Sequence, residues 1–204
     1  MPAATDQGYD LLSRAELPLD TVQLARYLVG KIVVRAAPDG VLSGRIVETE
    51  AYPVGDAAGH AYRGETARNH ALFLARGHAY VYMAYGTSYM LNVSSEAAGV
   101  GAGVLIRALE PLEGIEAMQR NRRVQTLHDL ARGPGRLAAA LDIDRRVDGV
   151  DLCAKGALWL AGDLQDPPEI GLSPRIGLSR EADRLLRFYA RANRFVSGPK
   201  ALSP

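Results

Sequence analysis

Two carboxylates and a tyrosine alternate along Val47-Glu48-Thr49-Glu50-Ala51-Tyr52. In an extended strand, period-two geometry sends Glu48, Glu50 and Tyr52 to one face and Val47, Thr49 and Ala51 to the other. A carboxylate beside a stacking ring can act as a base in a polar pocket. The same pattern also suits a solvent-exposed strand face, which is the simpler reading of this stretch alone. A second cluster follows: Tyr80, Tyr82, Tyr85 and Tyr89 fall within ten residues, and Tyr80 and Tyr82 share a strand face. Tyrosine joins a flat apolar ring to a polar tip, which suits contact with a nucleobase. Tyr85 precedes Gly86 at the expected tip of a hairpin. A side chain there is badly placed for a core and well placed to wedge between stacked bases. For Tyr80 and Tyr89, cross-strand packing within the sheet is the favoured reading.

Asn92 and Arg107 stand in apolar runs on neighbouring expected strands. A buried polar side chain needs a partner, so these two either act in a site or satisfy backbone groups. His60 follows Gly59 in a polar loop, and a lone histidine is more often structural than catalytic. Four histidines without a close pair, and Cys153 as the only cysteine, offer no metal site and no internal disulfide. Ser94-Ser95 lies outside any G-x-S-x-G turn, which leaves serine-hydrolase chemistry with little support. Gly133-Pro134-Gly135-Arg136 opens an expected helix. Free amides beside arginine suit a phosphate there, and an ordinary helix entry with proline in its first turn explains the pattern equally well.

These residues need elements to hold them. Asp20 with Gln23 reads as a capping box, and Gly30 closes the helix between, with Leu24, Tyr27 and Leu28 as its apolar stripe. Lys31 to Arg35 and Val41 to Ala51 read as strands joined at Pro38-Asp39-Gly40. A long polar loop runs from Pro53 to His78, a length that marks a functional loop in a compact chain. Ala79 to Tyr85 and Thr87 to Val93 form the tyrosine hairpin. Gly99 to Gly103 reads as a turn into a strand, Val104 to Leu109. Helices are expected over Pro111 to Asn121 and Pro134 to Leu141, and short strands over Ala157 to Leu160 and Arg187 to Arg191. Strands with helices inserted between them, without strict alternation, predict a mixed α+β domain.

The chain has 204 residues, of which 48% are apolar, enough for one domain with a sizeable core. Residues 1–15 read as a flexible start and 197–204 as a tail. No apolar run approaches the ~20 residues of a membrane span, and the start lacks the pattern of a signal peptide, so a soluble, cytoplasmic protein is expected. The net charge of +1 argues neither for nor against nucleic acid. The distribution says more: arginines outnumber acids between Arg120 and Arg146 and again after Glu169. Arginine forks suit phosphates, and a solvated arginine-rich surface is an equally fair reading.

The ordered motifs R-I-V-E-T-E-A-Y (Arg45 to Tyr52), H-A-Y-R-G (His60 to Gly64), T-A-R-N (Thr66 to Asn69), Y-V-Y-M-A-Y-G (Tyr80 to Gly86), L-N-V-S-S (Leu91 to Ser95) and V-L-I-R-A-L-E-P (Val104 to Pro111) resemble the alkyladenine (3-methylpurine) DNA glycosylase family, mammalian type. R-G-P-G-R-L (Arg132 to Leu137) and R-F-Y (Arg187 to Tyr189) continue the likeness, which runs from about Leu17 to Val196. The resemblance implies a single compact domain around a curved antiparallel sheet, with a hairpin that enters the DNA minor groove and with no metal or organic cofactor. It implies Glu50 as the carboxylate that activates water and Arg107 as the residue that helps hold that water. Tyr52, His60 and Tyr82 would wall the pocket for a flipped base, Asn92 would disfavour unmodified guanine, and Tyr85 would fill the gap left in the duplex. Arg132 and Arg136 are candidate phosphate contacts. The implied partner is double-stranded DNA carrying damaged purines, met by a monomer without a membrane. The lysines are Lys31, Lys155 and Lys200, none near these motifs, so a Schiff-base step is not expected. The competing reading is a non-catalytic module that uses the same tyrosine hairpin to bind distorted nucleic acid. A hydrolase of free nucleosides would need neither a hairpin-tip tyrosine nor peripheral arginines.

Overall fold

The computed structural model describes residues 9–38, 40–163 and 165–198. Asp39 of the first turn, Lys200 and the ends at residues 1–8 and 199–204 lie outside these. The packed structure begins before residue 15, because Leu11 bridges Ala161 and Leu12 is buried.

The helix α1 (Thr21–Leu28) starts where Asp20 accepts a hydrogen bond from the Gln23 amide at 2.8 Å. This is the N-cap half of the expected box. Leu24, Ala25 and Leu28 are buried, while Tyr27 lies at the helix edge under Lys31. After Gly30, whose φ is +94°, the chain enters β1 (Ile32–Ala37) and β2 (Gly40–Tyr52). The hairpin strands are β3 (Ala79–Ala84) and β4 (Ser88–Ser94). They are followed by β5 (Gly103–Glu113), α2 (Ile115–Arg122), α3 (Pro134–Ala140) and the short strands β6 (Leu158–Ala161), β7 (Ile170–Ser173) and β8 (Arg187–Ala190).

All eight strands join one antiparallel sheet in the order β3-β4-β5-β2-β1-β6, with β8 pairing both β2 and β7. The mixed α+β architecture agrees with the expectation. The helices pack on one side, where Thr49 donates to the Ala25 carbonyl at 2.8 Å and Val47 and Ala51 are fully buried. The central strand β2 changes neighbour along one edge. Its first half pairs β1 over Gly40–Arg45, and Glu48, Thr49 and Glu50 pair Tyr189, Phe188 and Arg187 of β8.

Two expectations are corrected. The helix expected from Pro111 begins only at Ile115, because Pro111 to Glu113 extend β5 alongside Ser43 and Gly44. Proline is tolerated there because the register shifts at that point, where an absent N–H costs little. Gly114, at φ +75°, then turns the chain close against Leu42. The second correction is an omission. The Ile170–Ser173 strand was missed, since four residues with one glycine carry no clear alternation.

Candidate active site

Besides the shift at Ser43/Gly44, the register between β2 and β5 slips between Ile46 and Glu48 and again between Glu48 and Thr49. Ala108 faces Glu48 and Ile106 faces Thr49, which leaves Arg107 as the unmatched residue. Bulges of this kind re-aim a side chain. Arg107 reaches Glu48 Oε1 from Nε at 3.0 Å and Glu50 Oε2 from its first terminal nitrogen at 3.2 Å. The exposed strand face that Glu48 and Glu50 suggested is therefore wrong: both carboxylates are 0% exposed, because β8 and the segments around residues 176 and 197 cover that face.

The two carboxylates have different partners. Glu48 is held as structure. Arg187 Nε donates to its Oε1 at 2.6 Å, the Ser197 hydroxyl donates to Oε1 at 2.9 Å and the Ser197 amide donates to Oε2 at 2.7 Å. Ser197 was assigned to a tail and belongs here. Arg187 is itself buried, with Glu48 as its counter-charge; removing one member of such a pair typically costs about 3–5 kcal/mol. Glu50 receives the Ile176 amide on Oε1 at 2.7 Å, and the Tyr52 hydroxyl on Oε2 at 2.9 Å. Burial and the nearby Glu50 charge push the Tyr52 phenol well above the usual tyrosine range, so it stays a donor.

Tyr52 carries this arrangement to the surface. It lines a cleft of about 180 Å³ together with His60, Tyr80, Tyr82, Asn92 and Leu178. A second cleft, sharing Tyr52, His60, Tyr82 and Tyr85, runs past Arg107. Glu50 lines neither; Tyr52 and Arg107 stand between it and both. Tyr80 and Tyr82 are near-parallel with centroids 5.4 Å apart, and the His60 ring meets Tyr82 edge-on at 4.3 Å. Sheet packing was the favoured role for Tyr80, yet its register partner is Asn92 and its hydroxyl lies 2.9 Å from His60 Nδ1. Burial pushes the Tyr80 phenol up to about 12 and lowers the His60 pKa, with Arg68 adding to the latter. Both groups are then neutral, and the imidazole tautomer sets which of them donates. Tyr89 does pack against the core as expected. Asn92 is held by its amide nitrogen, 3.1 Å from the Tyr80 carbonyl. Gly101 and Gly103 form part of the wall, and a Cβ on Gly101 would overlap Phe73.

The hairpin tip confirms its turn geometry. Thr87 N–H bonds the Ala84 carbonyl at 3.0 Å, and Tyr85 and Gly86 have φ +52° and +68°. This is a type I′ turn, which requires two left-handed residues. Tyr85 is 92% exposed, so a large aromatic ring is presented to solvent on strained backbone.

A model of the methylpurine-DNA glycosylase family matches residues 15–194. The chain belongs to that family. A protein of Mesorhizobium japonicum named as a 3-methyladenine DNA glycosylase is 70% identical over 94% of this chain and 92% of its own length. Relatives with the same name in Paraburkholderia phytofirmans (52% identical, 94% of this chain, 90% of theirs) and Chlorobaculum parvum (44%, 90% and 89%) extend the match. A DNA glycosylase of this family is a hydrolase of base-excision repair, acting on DNA with alkylated bases. No helix among the described residues is long and apolar enough to cross a membrane, and none of their His, Cys, Asp and Glu side chains group into a metal-binding cluster.

The candidate phosphate arginines lie differently from one another. Arg132 directs Nε to the Val196 carbonyl at 2.8 Å and a second nitrogen to Gly198, so it ties down the chain end. Arg136 is exposed and shares Asp129 at 3.1 Å. Arg63, Arg68 and Arg180, not among the expected site residues, surround a hollow that shares Gly59, His60 and Tyr80 with the base-sized cleft.

Proposed function

We propose that this glycosylase flips an alkylated or deaminated purine, of the 3-methyladenine, 7-methylguanine, hypoxanthine and ethenoadenine class, out of duplex DNA and hydrolyses its N-glycosidic bond with a water activated by Glu50. The observation that carries the reading is the Tyr52–Glu50 hydrogen bond, which puts an acceptor-only carboxylate directly behind a ring that walls a cleft.

Flipping a stacked purine costs a few kcal/mol, less at damaged sites. Tyr85, presented on the hairpin, fills the gap, and aromatic stacking is worth about 1–3 kcal/mol per base. Tyr52 and Tyr82 flank the extruded base. A cationic alkylpurine gains a further ~0.5–2 kcal/mol from their ring faces, while neutral lesions depend on shape and on hydrogen bonds with pocket groups such as His60. Asn92 stands where a 2-amino group would crowd it. Glu50 Oε1 accepts only the Ile176 amide among the described residues, which leaves it capacity for a water. That water attacks C1′, Glu50 takes its proton, and the bond from C1′ to the purine nitrogen breaks with the electron pair leaving on the base. Arg107 holds the carboxylate and the water. Among the described residues no lysine lines either cleft, and this reading includes no lyase step.

Duplexes carrying one hypoxanthine, 3-methyladenine or 7-methylguanine provide the test. The protein should convert them to abasic duplexes and free base. Binding without base release would instead make the chain a non-catalytic reader of distorted DNA.

A further inference from the structure

Arg175 is a charged residue that the mechanism above does not use. Its guanidinium carbon lies 4.6 Å from the centre of the Tyr52 ring, and its side chain is 0% exposed. One terminal nitrogen bonds the Ala51 carbonyl at 2.9 Å and Asp56 at 2.5 Å, and Asp56 is equally buried. Tyr52 and Asp56 both line the base-sized cleft and Arg175 does not. Arg175 therefore covers the ring face turned away from the cleft, and the opposite face is left for the base. Its neighbour Ile176 supplies the amide that donates to Glu50. One short segment thus backs the stacking wall and holds the catalytic carboxylate.

An aromatic ring attracts a cation through the electron density on its faces. A guanidinium on one face draws on that density and, across the ring, repels a second cation. With the base stacked at van der Waals contact, the two charges would stand roughly 8 Å apart in a poorly solvated site, close enough to interact. Asp56 offsets part of that repulsion. Arg184, 3.7 Å from Asp56 and partly exposed, competes weakly for the same carboxylate.

We propose that the buried Arg175–Asp56 pair sets how strongly the pocket favours a cationic alkylpurine over a neutral purine lesion, with Arg175 acting through Tyr52 as a positioning and specificity-determining residue. This rests on the reading of Tyr52 as a wall of the flipped-base pocket. The pair holds the preference down, so that neutral lesions compete.

The test compares single-turnover excision of 7-methylguanine, a cation, and hypoxanthine, which is neutral, from otherwise identical duplexes. The ratio of the two rates should rise about three- to tenfold in the charge-balanced D56N/R175Q variant. It should fall in D56N, where Arg175 loses its counter-charge. R175K keeps a cation and should hold the ratio near the wild-type value even if both rates drop. Loosening of the fold alone would lower both rates together and leave the ratio unmoved in every variant, and that result overturns the proposal. So does an equal shift in R175K and the double variant. If the double variant does not fold, a ratio that falls in D56N while R175K holds it near the wild-type value still supports the proposal, and an unchanged ratio in D56N overturns it. Wild-type protein that excises neither lesion overturns the pocket reading, and this inference with it.

Discussion

At the scale of single residues, neighbouring groups decide roles that residue type leaves open. Glu48 and Glu50 are identical in type and burial, two positions apart. Glu48 is occupied by two arginines and both donors of Ser197, while Glu50 keeps acceptor capacity beside the cleft. Tyr80 and His60 form a second pair, the Tyr80 hydroxyl lying 2.9 Å from His60 Nδ1. This has a pH consequence. The folded His60 pKa lies below its ordinary 6.5, so the unfolded chain takes up the proton first as pH falls. The stabilisation from a neutral His60 is complete above about pH 6.5 and is lost as pH drops toward the lowered folded value. His60 is exposed on one side, which keeps the effect small. Unfolding free energies of His60→Gln, which retains an acceptor for Tyr80, should show a shallower acid decline than wild type; parallel declines would remove His60 as the cause.

At the scale of elements, the hairpin, the bulge and the long loop each position part of the site, and they were unequally legible. The hairpin was readable because Tyr85-Gly86 between aromatic strands is a local turn signal. The long loop was readable as irregular chain from its polarity and glycines, apart from the helical turn His70–Phe73. The bulge that aims Arg107 was not, because a register slip arises between two strands sixty residues apart and leaves no local pattern. The burial of Glu48 and Glu50 was hidden for the same reason: Arg187, Ser197 and Ile176 arrive from the far end of the chain. Arg175 and Asp56 were invisible in the sequence, as neither sits in a periodic or motif context. The hairpin also carries a trade. Tyrosine at φ +52° is strained where asparagine is favoured. Tyr85→Asn should raise the unfolding free energy by about 0.5–1 kcal/mol while slowing excision from fully paired duplex DNA. An unchanged duplex rate would remove the wedge role.

At the scale of the whole molecule, a chain of net charge +1 must meet DNA through a local surface. Arg63, Arg68 and Arg180 lie around the hollow that adjoins the cleft, and Arg136 lies beside the tip end of the hairpin with Thr87, Ser88 and Met90. Each phosphate contact adds roughly one unit to the slope of affinity against salt on logarithmic axes. Replacing Arg63 and Arg180 with alanine should weaken binding to all duplex sequences and reduce that slope by about two; an unaltered slope would place the phosphates elsewhere. The central proposal is that Glu50, buried behind Tyr52 and Arg107, activates the water that attacks C1′. Glu50→Gln keeps the shape of that site and removes the base. Single-turnover release of hypoxanthine and 7-methylguanine by this variant, measured beside its affinity for the same duplexes, tests the claim most directly. Near wild-type binding with base release slowed by about 10²–10⁴-fold is expected, whereas release at the wild-type rate would rule out Glu50 as the base.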